Sequence, residues 1–467
     1  MALGVLQPRN SNQHVPGTAL LSTEDTSQTS DQTLKRAGGK HCDVILIPQP
    51  SDDPNDPLNW PIWQRDLILL LYCYCTLCVI GGVGPVLSSM AVVLIEDLHI
   101  DFTKVSLLTG YNLCAVGACG VFISAFARKF GKRPVAIFSI SCTLAGSIWG
   151  GAATSYASLL GARILQGVGI ALFESLSFAV IGDLYCVHQR GRRMAFYVTS
   201  QSGLGNMPSM VAGKVTYDLG WRWVFWILCV FLAIAWVCVI LFCWETQYNR
   251  AALYNTDLAS EEYPARHSFV QRMRIYTQIF SAPPYNLNTA QLGYINAGPT
   301  VGGFLGCILC GLVSDPIVQW ISRKNNGVFE PEFRLPLMIG MPISCGIGYF
   351  LVGNFINSGA SPVASSAMWG VAFVSVQIAH VSAGSYLIDA FRDISNESFI
   401  ITMTFKNFLW FGFSFFLNDW IASWKPERVF YTIGGMQIAL SLTTIPVYIY
   451  GKRMRAWWHK YSLLSYL

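Results

Sequence analysis

Three polar side chains interrupt an apolar stretch that is long enough to cross a membrane. The stretch from Gly161 to Met194 reads GARILQGVGIALFESLSFAVIGDLYCVHQRGRRM, and its apolar part carries Arg163, Gln166 and Glu174. A spanning helix needs about 20 apolar residues. An ionised side chain at mid-bilayer costs roughly 2.5–3.5 kcal/mol even on the lenient insertion scale, so charged residues there usually face a polar interior. The pattern predicts a membrane helix with one wet face.

Arg163 and Glu174 are expected to share that face. They are eleven positions apart, which is three helical turns plus about 20° and roughly 16 Å along the axis. Carboxylates inside membranes serve proton and ion pathways, so Glu174 is the leading candidate for a proton or cation site. The alternatives are structural: a hydrogen bond from Glu174 to a neighbouring helix, and a clamp from Arg163 to the backbone of another helix.

Other polar residues in apolar runs are candidates for the wall of the same pathway. Each of them taken alone is better explained by a hydrogen bond between packed helices, although His380 could also respond to pH. Lys406 is a further residue of this kind, and packing is its favoured role. The predicted pathway residues are Glu174, Arg163, Gln166, Asn112, Asn296, Gln377, His380 and Asn407.

The composition is that of a membrane protein with many spans. Of the 467 residues, 53% are hydrophobic and only 12% are charged, whereas soluble proteins carry about 25% charged residues. The net charge of +5 does not indicate nucleic-acid binding, because the basic residues lie in loops, where the positive-inside rule places them. Most of the 14 cysteines lie in apolar runs, and the Cys307–Cys310 pair has no second pair. They are expected to pack helices, so no metal or cofactor is predicted.

Eleven apolar segments define the predicted helices, six before a polar loop and five after it. They lie at about 66–95, 105–127, 134–153, 159–181, 194–215, 223–243, 291–314, 335–356, 364–390, 398–420 and 429–450. The predicted domains are a disordered cytoplasmic tail (1–65), a six-helix bundle (66–243), a cytoplasmic or interfacial loop (244–290), a five-helix bundle (291–451) and a basic cytoplasmic tail (452–467). The fold class is therefore all-α, a polytopic membrane protein of two bundles.

Lys and Arg assign the two sides of the membrane. Basic residues fill the second connection (128–133) and the fourth (190–193), whereas the first and third carry little positive charge. The amino terminus and the even connections are therefore predicted to be cytoplasmic. After the basic middle loop the same rule requires one more crossing before Gln291. The sequence there is short and polar, and Pro283-Pro284 breaks it, so it cannot form an ordinary spanning helix.

Several motifs resemble those of the major facilitator superfamily. ARILQGVG, from Ala162 to Gly169, resembles the RxxQG motif of the family's fourth helix, and FGKRPV, from Phe130 to Val135, resembles the end of the motif after its second helix. GDLYCVHQRGRRM, GWRWVFWI and RKNNGVFEPEFRL are similar to segments of the fungal drug:proton antiporter branch. The resemblance implies twelve helices in two six-helix halves, which rock about a substrate site at mid-membrane.

Position and resemblance together assign a set of gating residues. They are Arg128, Lys129, Gly131, Arg133, Asp183, Arg190, Asp315 and Arg323. The chain also departs from the family pattern, because Ser124 and Arg128 stand where the second-helix motif has Gly and Asp. The usual acidic gate partner is therefore missing at this position. The second half keeps a corresponding GLVSD, from Gly311 to Asp315.

Compared with the family, the chain lacks the seventh helix, and this is the gap that the charges reveal. We therefore expect a fold of six and five helices. Residues 291–314 are expected in the position of the family's eighth helix. Residues 275–290 are expected to cross as irregular chain shielded by neighbouring helices, because unsatisfied backbone groups in lipid cost several kcal/mol each.

These features predict a secondary transporter, in particular a proton-coupled exporter of small organic molecules that works by alternating access. The expected partners are the lipid bilayer, a small organic substrate and protons, without nucleic acid, for a monomer in the plasma membrane. A membrane enzyme would need convergent His/Asp or Ser/His groups, and only His380 among the histidines lies within a predicted span. Two alternatives stay open: a transport-impaired or incorrectly predicted chain without the seventh helix, and an importer of the same superfamily.

Overall fold

The structure is a computed structural model, and it describes residues 5–7, 18–20, 35, 46–51, 53–247, 291, 294–391 and 395–460. Within these residues, nine helical segments are long and apolar enough to cross a membrane. They are α1 (Ile62–Ser89), α2 (Phe102–Phe130), α3 (Lys132–Gly151), α4 (Tyr156–Leu184), α6 (Trp221–Phe242), α7 (Ala297–Lys324), α8 (Pro331–Asn357), α9 (Pro362–Ala390) and α11 (Pro426–Trp457). The prediction of an all-α membrane fold is confirmed.

Two more helical segments complete the described bundle. α5 consists of Val187–Val198 and Met207–Leu219, joined by the π-helical turn Thr199–Gly203 and the short 3₁₀ turn Leu204–Asn206. α10 is Ser395–Ser423. We refer to α1–α6 as the amino-terminal half and to α7–α11 as the carboxyl-terminal half. The exact division into six and five membrane spans and the predicted domain limits stay predictions.

Contacts between the connections define two ends of the bundle. At one end the Trp221 indole donates to Asp97, 2.8 Å away, beside the start of α2. We call this the Trp221 end. At the other end, which we call the Arg190 end, α5 begins and the Lys132 ammonium pairs with Asp183 at 2.5 Å. The helices of the amino-terminal half alternate between these two ends.

The two halves meet along two antiparallel seams. Along the first, α5 packs against α7, so that a Cβ on Gly303 would lie 2.5 Å from Gly203 Cα. Along the second, α2 packs against α10, and a Cβ on Gly110 would lie 2.4 Å from Ser414 Oγ. Small residues at both seams let the helix backbones approach closely, as is common in membrane bundles. Larger side chains at these glycines would force the halves apart.

The direction of α7 follows from the first seam. α5 runs from the Arg190 end to the Trp221 end, so its antiparallel neighbour α7 runs back to the Arg190 end. α6 also ends there, because Glu245 accepts from the backbone N–H of Lys132 at 2.9 Å. α6 and α7 therefore point the same way, as the charge pattern requires. The predicted crossing over residues 275–290 and the predicted absence of the family's seventh helix lie outside the described residues.

Parts of the segment predicted to be a disordered tail are packed at the Arg190 end. Ile47 is buried with Val187, Val318 and Phe329, and its carbonyl accepts from the Val187 N–H at 2.9 Å. Ala19–Leu20 pairs as an antiparallel strand with Val328–Phe329. These apolar residues contact both halves, so burial rather than overall polarity decides their placement. These short apolar pieces are not evident from the average polarity of residues 1–65.

Candidate functional site

A cavity of about 270 Å³ lies between the two halves. Its wall comes from α1, α2, α4, α5, α9 and α10, and much of it is apolar or aromatic, including Phe102, Phe373 and Trp410. The parts of α1 and α2 that line it are those nearest the Trp221 end. The cavity therefore extends from the middle of the bundle toward that end. A largely apolar pocket with a few polar groups is the usual form of a small-molecule site.

The polar focus of this cavity is an ion pair that joins the two halves. The carboxylate of Glu174, on α4, forms a salt bridge with the ammonium of Lys406, on α10. Asn407 Nδ2 donates to the other Glu174 oxygen at 2.8 Å. Glu174 is only 7% exposed, so its charge is compensated mainly by α10 rather than by solvent. Glu174 and Lys406 both line the cavity.

Lys406 lines the cavity, although its sequence context favours a packing role. The signal was present, because a lysine within the apolar run 398–420 is costly in a membrane unless it has a partner. Lys406 and Asn407 are consecutive, so their side chains leave the helix about 100° apart. The two donors can therefore reach different oxygens of one carboxylate.

Two π-helical turns lie at the cavity wall. Leu77–Gly81 interrupts α1, and Thr199–Gly203 interrupts α5. The two segments are close, since a Cβ on Gly81 would lie 2.8 Å from the Gly205 carbonyl oxygen. Such turns are rare and often occur at functional sites, because they widen the helix locally and redirect side chains. Here they leave Gln201 and Ser202 among the residues that line the cavity.

Arg163, Gln166 and Asn112 do not line this cavity but join helices behind it. Arg163 Nη1 donates to the Val83 carbonyl at 2.9 Å and to Gln166 Oε1 at 3.0 Å. Asn112 Nδ2 donates to the Arg163 carbonyl at 2.7 Å, and Gln166 Nε2 donates to Ser147 Oγ at 2.9 Å. These bonds connect α1, α2, α3 and α4. The geometry matches the clamp alternative for Arg163.

Replacing Arg163 with Lys should destabilise the protein more than it slows transport. The lysine side chain is one bond shorter, so its ammonium cannot lie where Arg163 Nη1 donates to both acceptors, and each hydrogen bond from a charged group contributes about 1.5–3 kcal/mol. We expect a lower thermal unfolding midpoint in detergent and transport that is retained at a permissive temperature. Lost transport with an unchanged unfolding midpoint would contradict the clamp and return Arg163 to the pathway.

The remaining predicted pathway residues are divided between wall and packing positions. His380 lines the cavity, with Nδ1 3.5 Å from Ser202 Oγ across the halves. Gln377, one turn earlier on α9, is buried, and its Oε1 lies 3.4 Å from Cys307 Sγ. Asn296 is buried at the start of α7, where its backbone carbonyl accepts from the Thr300 hydroxyl. Glu174 and His380 thus line the cavity directly, and Asn407 contacts it only through its hydrogen bond to Glu174.

A buried charge network closes the Arg190 end. Asp389 accepts from Arg190 Nη1 at 2.5 Å and from Arg334 Nε at 2.9 Å. Arg334 Nη1 also pairs with Asp315 at 2.8 Å. Asp315 in turn accepts the backbone N–H groups of Gly191 and Arg192, at 3.1 and 2.9 Å. The network joins α5 of one half to α7, α8 and α9 of the other, so it holds the two halves together at this end.

Of this network, the sequence assigned gating roles to Arg190 and Asp315. Asp389 and Arg334, the other two members, are not among the gating residues that the sequence assigns. Arg334 Nη2 also donates to the Val187 carbonyl at 3.0 Å, which brings α8 against the start of α5. The position of Arg334 in the sequence does not indicate this contact with a helix of the other half.

The other predicted gating residues lie around α2 and α3. Arg128 forms an ion pair with Glu397 at the start of α10, so the acidic partner missing from α2 is supplied by the opposite half. Gly131 has φ +92°, and a Cβ there would lie 2.3 Å from Glu245 Oε2. Glu245 accepts the Arg133 backbone N–H at 3.0 Å. Only glycine fits this turn without strain.

Lys129 and Arg323 lie at the surface of the Arg190 end. The Lys129 ammonium lies 5.4 Å from the centre of the Phe130 ring, and Arg323 is exposed in the last turn of α7. Neither belongs to the buried network. Exposed Lys and Arg residues near helix ends are enriched on one side of a membrane, as the positive-inside rule states.

Comparison with known proteins agrees with this architecture. The sequence model of the family Major Facilitator Superfamily matches residues 72–411 of this chain. The uncharacterized MFS-type transporter C1271.10c of Schizosaccharomyces pombe is 23% identical, over 98% of this chain and 96% of its own length. The efflux pump vrtL of Penicillium aethiopicum is 22% identical, over 78% of this chain and 80% of its own length.

A solved structure shows the same fold. The MFS proton:xylose symporter XylE, bound to 6-bromo-6-deoxy-D-glucose, superimposes with a TM-score of 0.54 over 83% of this chain and 96% of its own. At 12% sequence identity the similarity concerns the fold alone. The family match covers most of the chain, and the helical halves enclose a cavity. The chain therefore belongs to the Major Facilitator Superfamily of membrane transporters and is not an enzyme.

Proposed function

We propose that this chain is a proton-coupled exporter of small organic molecules, acting as a monomer in the plasma membrane with its amino terminus in the cytoplasm. The observation that carries the proposal is the Glu174 carboxylate in the cavity wall, joined to Lys406 of the opposite half. Export is supported by the similarity to a relative named as an efflux pump. The Arg190 end is then the cytoplasmic end, and the cavity extends toward the outer side.

Protonation of Glu174 provides a link between proton binding and movement of the halves. A neutral carboxyl group cannot hold the Lys406 ammonium as a counter-ion, so the connection between α4 and α10 weakens when a proton arrives. Breaking a buried ion pair costs about 3–5 kcal/mol. This is close to the roughly 5.5 kcal/mol that turns a 1:99 population of two conformations into 99:1. The free-energy change on binding one proton at this site is therefore large enough to bias alternating access.

The charge network at the Arg190 end supplies the opposing element. In this structure it joins the halves on the proposed cytoplasmic side, while the cavity lies toward the other side. Opening to the cytoplasm requires the inter-half contacts of this network to separate, among them Arg190 with Asp389 and Arg334 with the Val187 carbonyl. A substrate that enters from the cytoplasm can reach the Glu174–Lys406 pair only after that separation. Alternation between the two sides thus involves two inter-half charge clusters, the Arg190-end network and the Glu174–Lys406 pair.

Proton coupling can be tested with purified protein in liposomes that contain a fluorescent pH indicator. A panel of small organic compounds is added, and protein-dependent proton movement is recorded. We expect at least one compound to drive protons in the opposite direction, and an imposed pH gradient to drive that compound. Protons that move in the same direction as the compound would indicate symport and import. Protein-dependent transport that a protonophore leaves unchanged would contradict proton coupling.

A further inference from the structure

A second groove lies on the outside of the bundle, apart from the central cavity. It has a volume of about 680 Å³ and is formed by α1, α5 and α7. Its walls are apolar, with Leu69, Leu70, Phe196, Phe304, Ile308 and Leu312. Leu70 is 52% exposed and Leu312 is 68% exposed. On a membrane-embedded bundle such residues face lipid, so the groove is open to the bilayer.

The groove has one closed end and one charged end. Toward the middle of the membrane it ends near the backbone contact between Gly203 and Gly303. Its α7 wall, residues 304–312, is about 12 Å long at the helical rise per residue. At the Arg190 end its mouth carries Asp66, Arg192 and Arg193. The groove is therefore an apolar slot with its polar groups at the membrane surface.

Among the described residues, the charges at the mouth leave the Arg192 side chain without an ion pair. Arg193 Nε pairs with Asp66 Oδ1 at 3.1 Å, and its guanidinium lies 4.2 Å from the centre of the Tyr185 ring. Arg192 donates its backbone N–H to Asp315, but within the described part of the chain no ion pair of its exposed side chain is found. Two guanidinium groups thus face one carboxylate, and the mouth has a net positive charge.

We propose that this groove binds an anionic glycerophospholipid, with an acyl chain between α1, α5 and α7 and the headgroup phosphate on Arg192. The apolar slot complements an acyl chain, which a free anion lacks. The positive mouth complements a negative headgroup, and basic side chains at a membrane surface attract anionic lipids by about 1 kcal/mol each. Both complementary features occur at the correct ends of one groove.

Such a lipid would contact both halves, since α1 and α5 belong to the amino-terminal half and α7 to the carboxyl-terminal half. Its headgroup would lie beside Asp315, which holds the Gly191 and Arg192 backbone of the charge network. The bound lipid would therefore favour the conformation in which the Arg190 end is closed. This inference does not depend on proton coupling or on the direction of transport.

Lipid retention by the full chain tests the proposal. Protein purified in detergent is incubated with equal amounts of phosphatidylglycerol and phosphatidylcholine, and the retained lipids are counted by native mass spectrometry. We expect an approximately fivefold preference for phosphatidylglycerol. Arg192→Gln should reduce this preference to about one, and Arg192→Lys should keep most of it. Arg323→Gln, which removes an exposed arginine outside the groove, should leave the preference unchanged.

A second variant tests the acyl-chain slot. Ile308→Trp places a larger side chain in the groove wall and should reduce retention of both lipids, with an unchanged thermal unfolding midpoint. Equal losses in Arg192→Gln and Arg323→Gln would show general surface attraction and overturn the proposal. Displacement of phosphatidylglycerol by millimolar inorganic phosphate would show a site for free anions, and unaltered retention in Ile308→Trp would show that the slot holds no chain. Either result overturns the proposal as well.

Discussion

Replacing Glu174 with Gln is expected to reduce pH-driven transport to the level of protein-free liposomes. Gln has the volume of Glu, and its carbonyl can still accept from Asn407, which donates to Glu174 at 2.8 Å. It cannot take up or release a proton, however, and it carries no charge to balance Lys406. One substitution therefore removes both the proton exchange and the charge that pairs with Lys406. Proton flux and substrate flux are measured together in the reconstituted system.

A double variant separates the loss of proton exchange from a loss of stability. Glu174→Gln leaves the Lys406 ammonium without its partner, and an unpaired charge that is largely buried destabilises the fold. Glu174→Gln combined with Lys406→Met removes that charge and should recover the unfolding midpoint without recovering pH-driven transport. Unchanged pH-driven transport in Glu174→Gln would exclude Glu174 as the proton carrier. Recovery of transport in the double variant would show that Glu174 acts only by balancing Lys406.

The helical architecture could be predicted because apolar length is a local property of the sequence. The predicted span 105–127 lies within α2, Phe102–Phe130, and the predicted span 159–181 lies within α4, Tyr156–Leu184. Charge placement likewise anticipated that α6 and α7 point the same way. The packed pieces of the amino-terminal segment could not be anticipated, since Ile47 is buried by residues of both halves. Their order depends on a surface that exists only after the bundle has formed.

Only part of the candidate site could be predicted, because its contacts join helices that are distant in the sequence. The apolar stretch around Glu174 marked it as a costly charge, and helical periodicity gave only the direction of the side chain from its own axis. Arg163 shares that direction and lies roughly 16 Å away along the helix, where α4 contacts other helices instead of a cavity. Lys406 lies 232 positions from Glu174 in the chain, and no local rule relates the two residues. Partners between distant helices require the packed structure.

Asp389→Asn is expected to cause the largest loss of stability among single substitutions at the Arg190 end. Asp389 has a fully buried side chain (0% exposed) and accepts from both Arg190 and Arg334. Asn keeps the shape but removes the negative charge that pairs with both buried guanidinium groups. Removing one partner of a buried ion pair costs about 3–5 kcal/mol. We expect a thermal unfolding midpoint several degrees lower and a reduced yield of folded protein.

Asp97→Asn provides the matched control at the Trp221 end. Asp97 pairs with Arg222 at 3.2 Å, but the two side chains are 44% and 41% exposed. The hydrogen bond from the Trp221 indole, together with Arg222, lowers the pKa of Asp97, and Asn can still accept that hydrogen bond. Exposed pairs contribute about 0–1 kcal/mol, so little change is expected. Equal losses in both variants would contradict a special role for the buried network.

The charge balance of the network predicts how the Asp389→Asn defect can be corrected. In the native network two arginines, Arg190 and Arg334, face two aspartates, Asp315 and Asp389. Asp389→Asn leaves one excess positive charge among side chains that are buried from solvent. Adding Arg334→Gln restores neutrality, with Arg190 close to the remaining acceptors. We expect the double variant to unfold at a higher temperature than Asp389→Asn, although each substitution alone is destabilising. If the two losses add instead, the network is held by individual hydrogen bonds and not by its balance of charge.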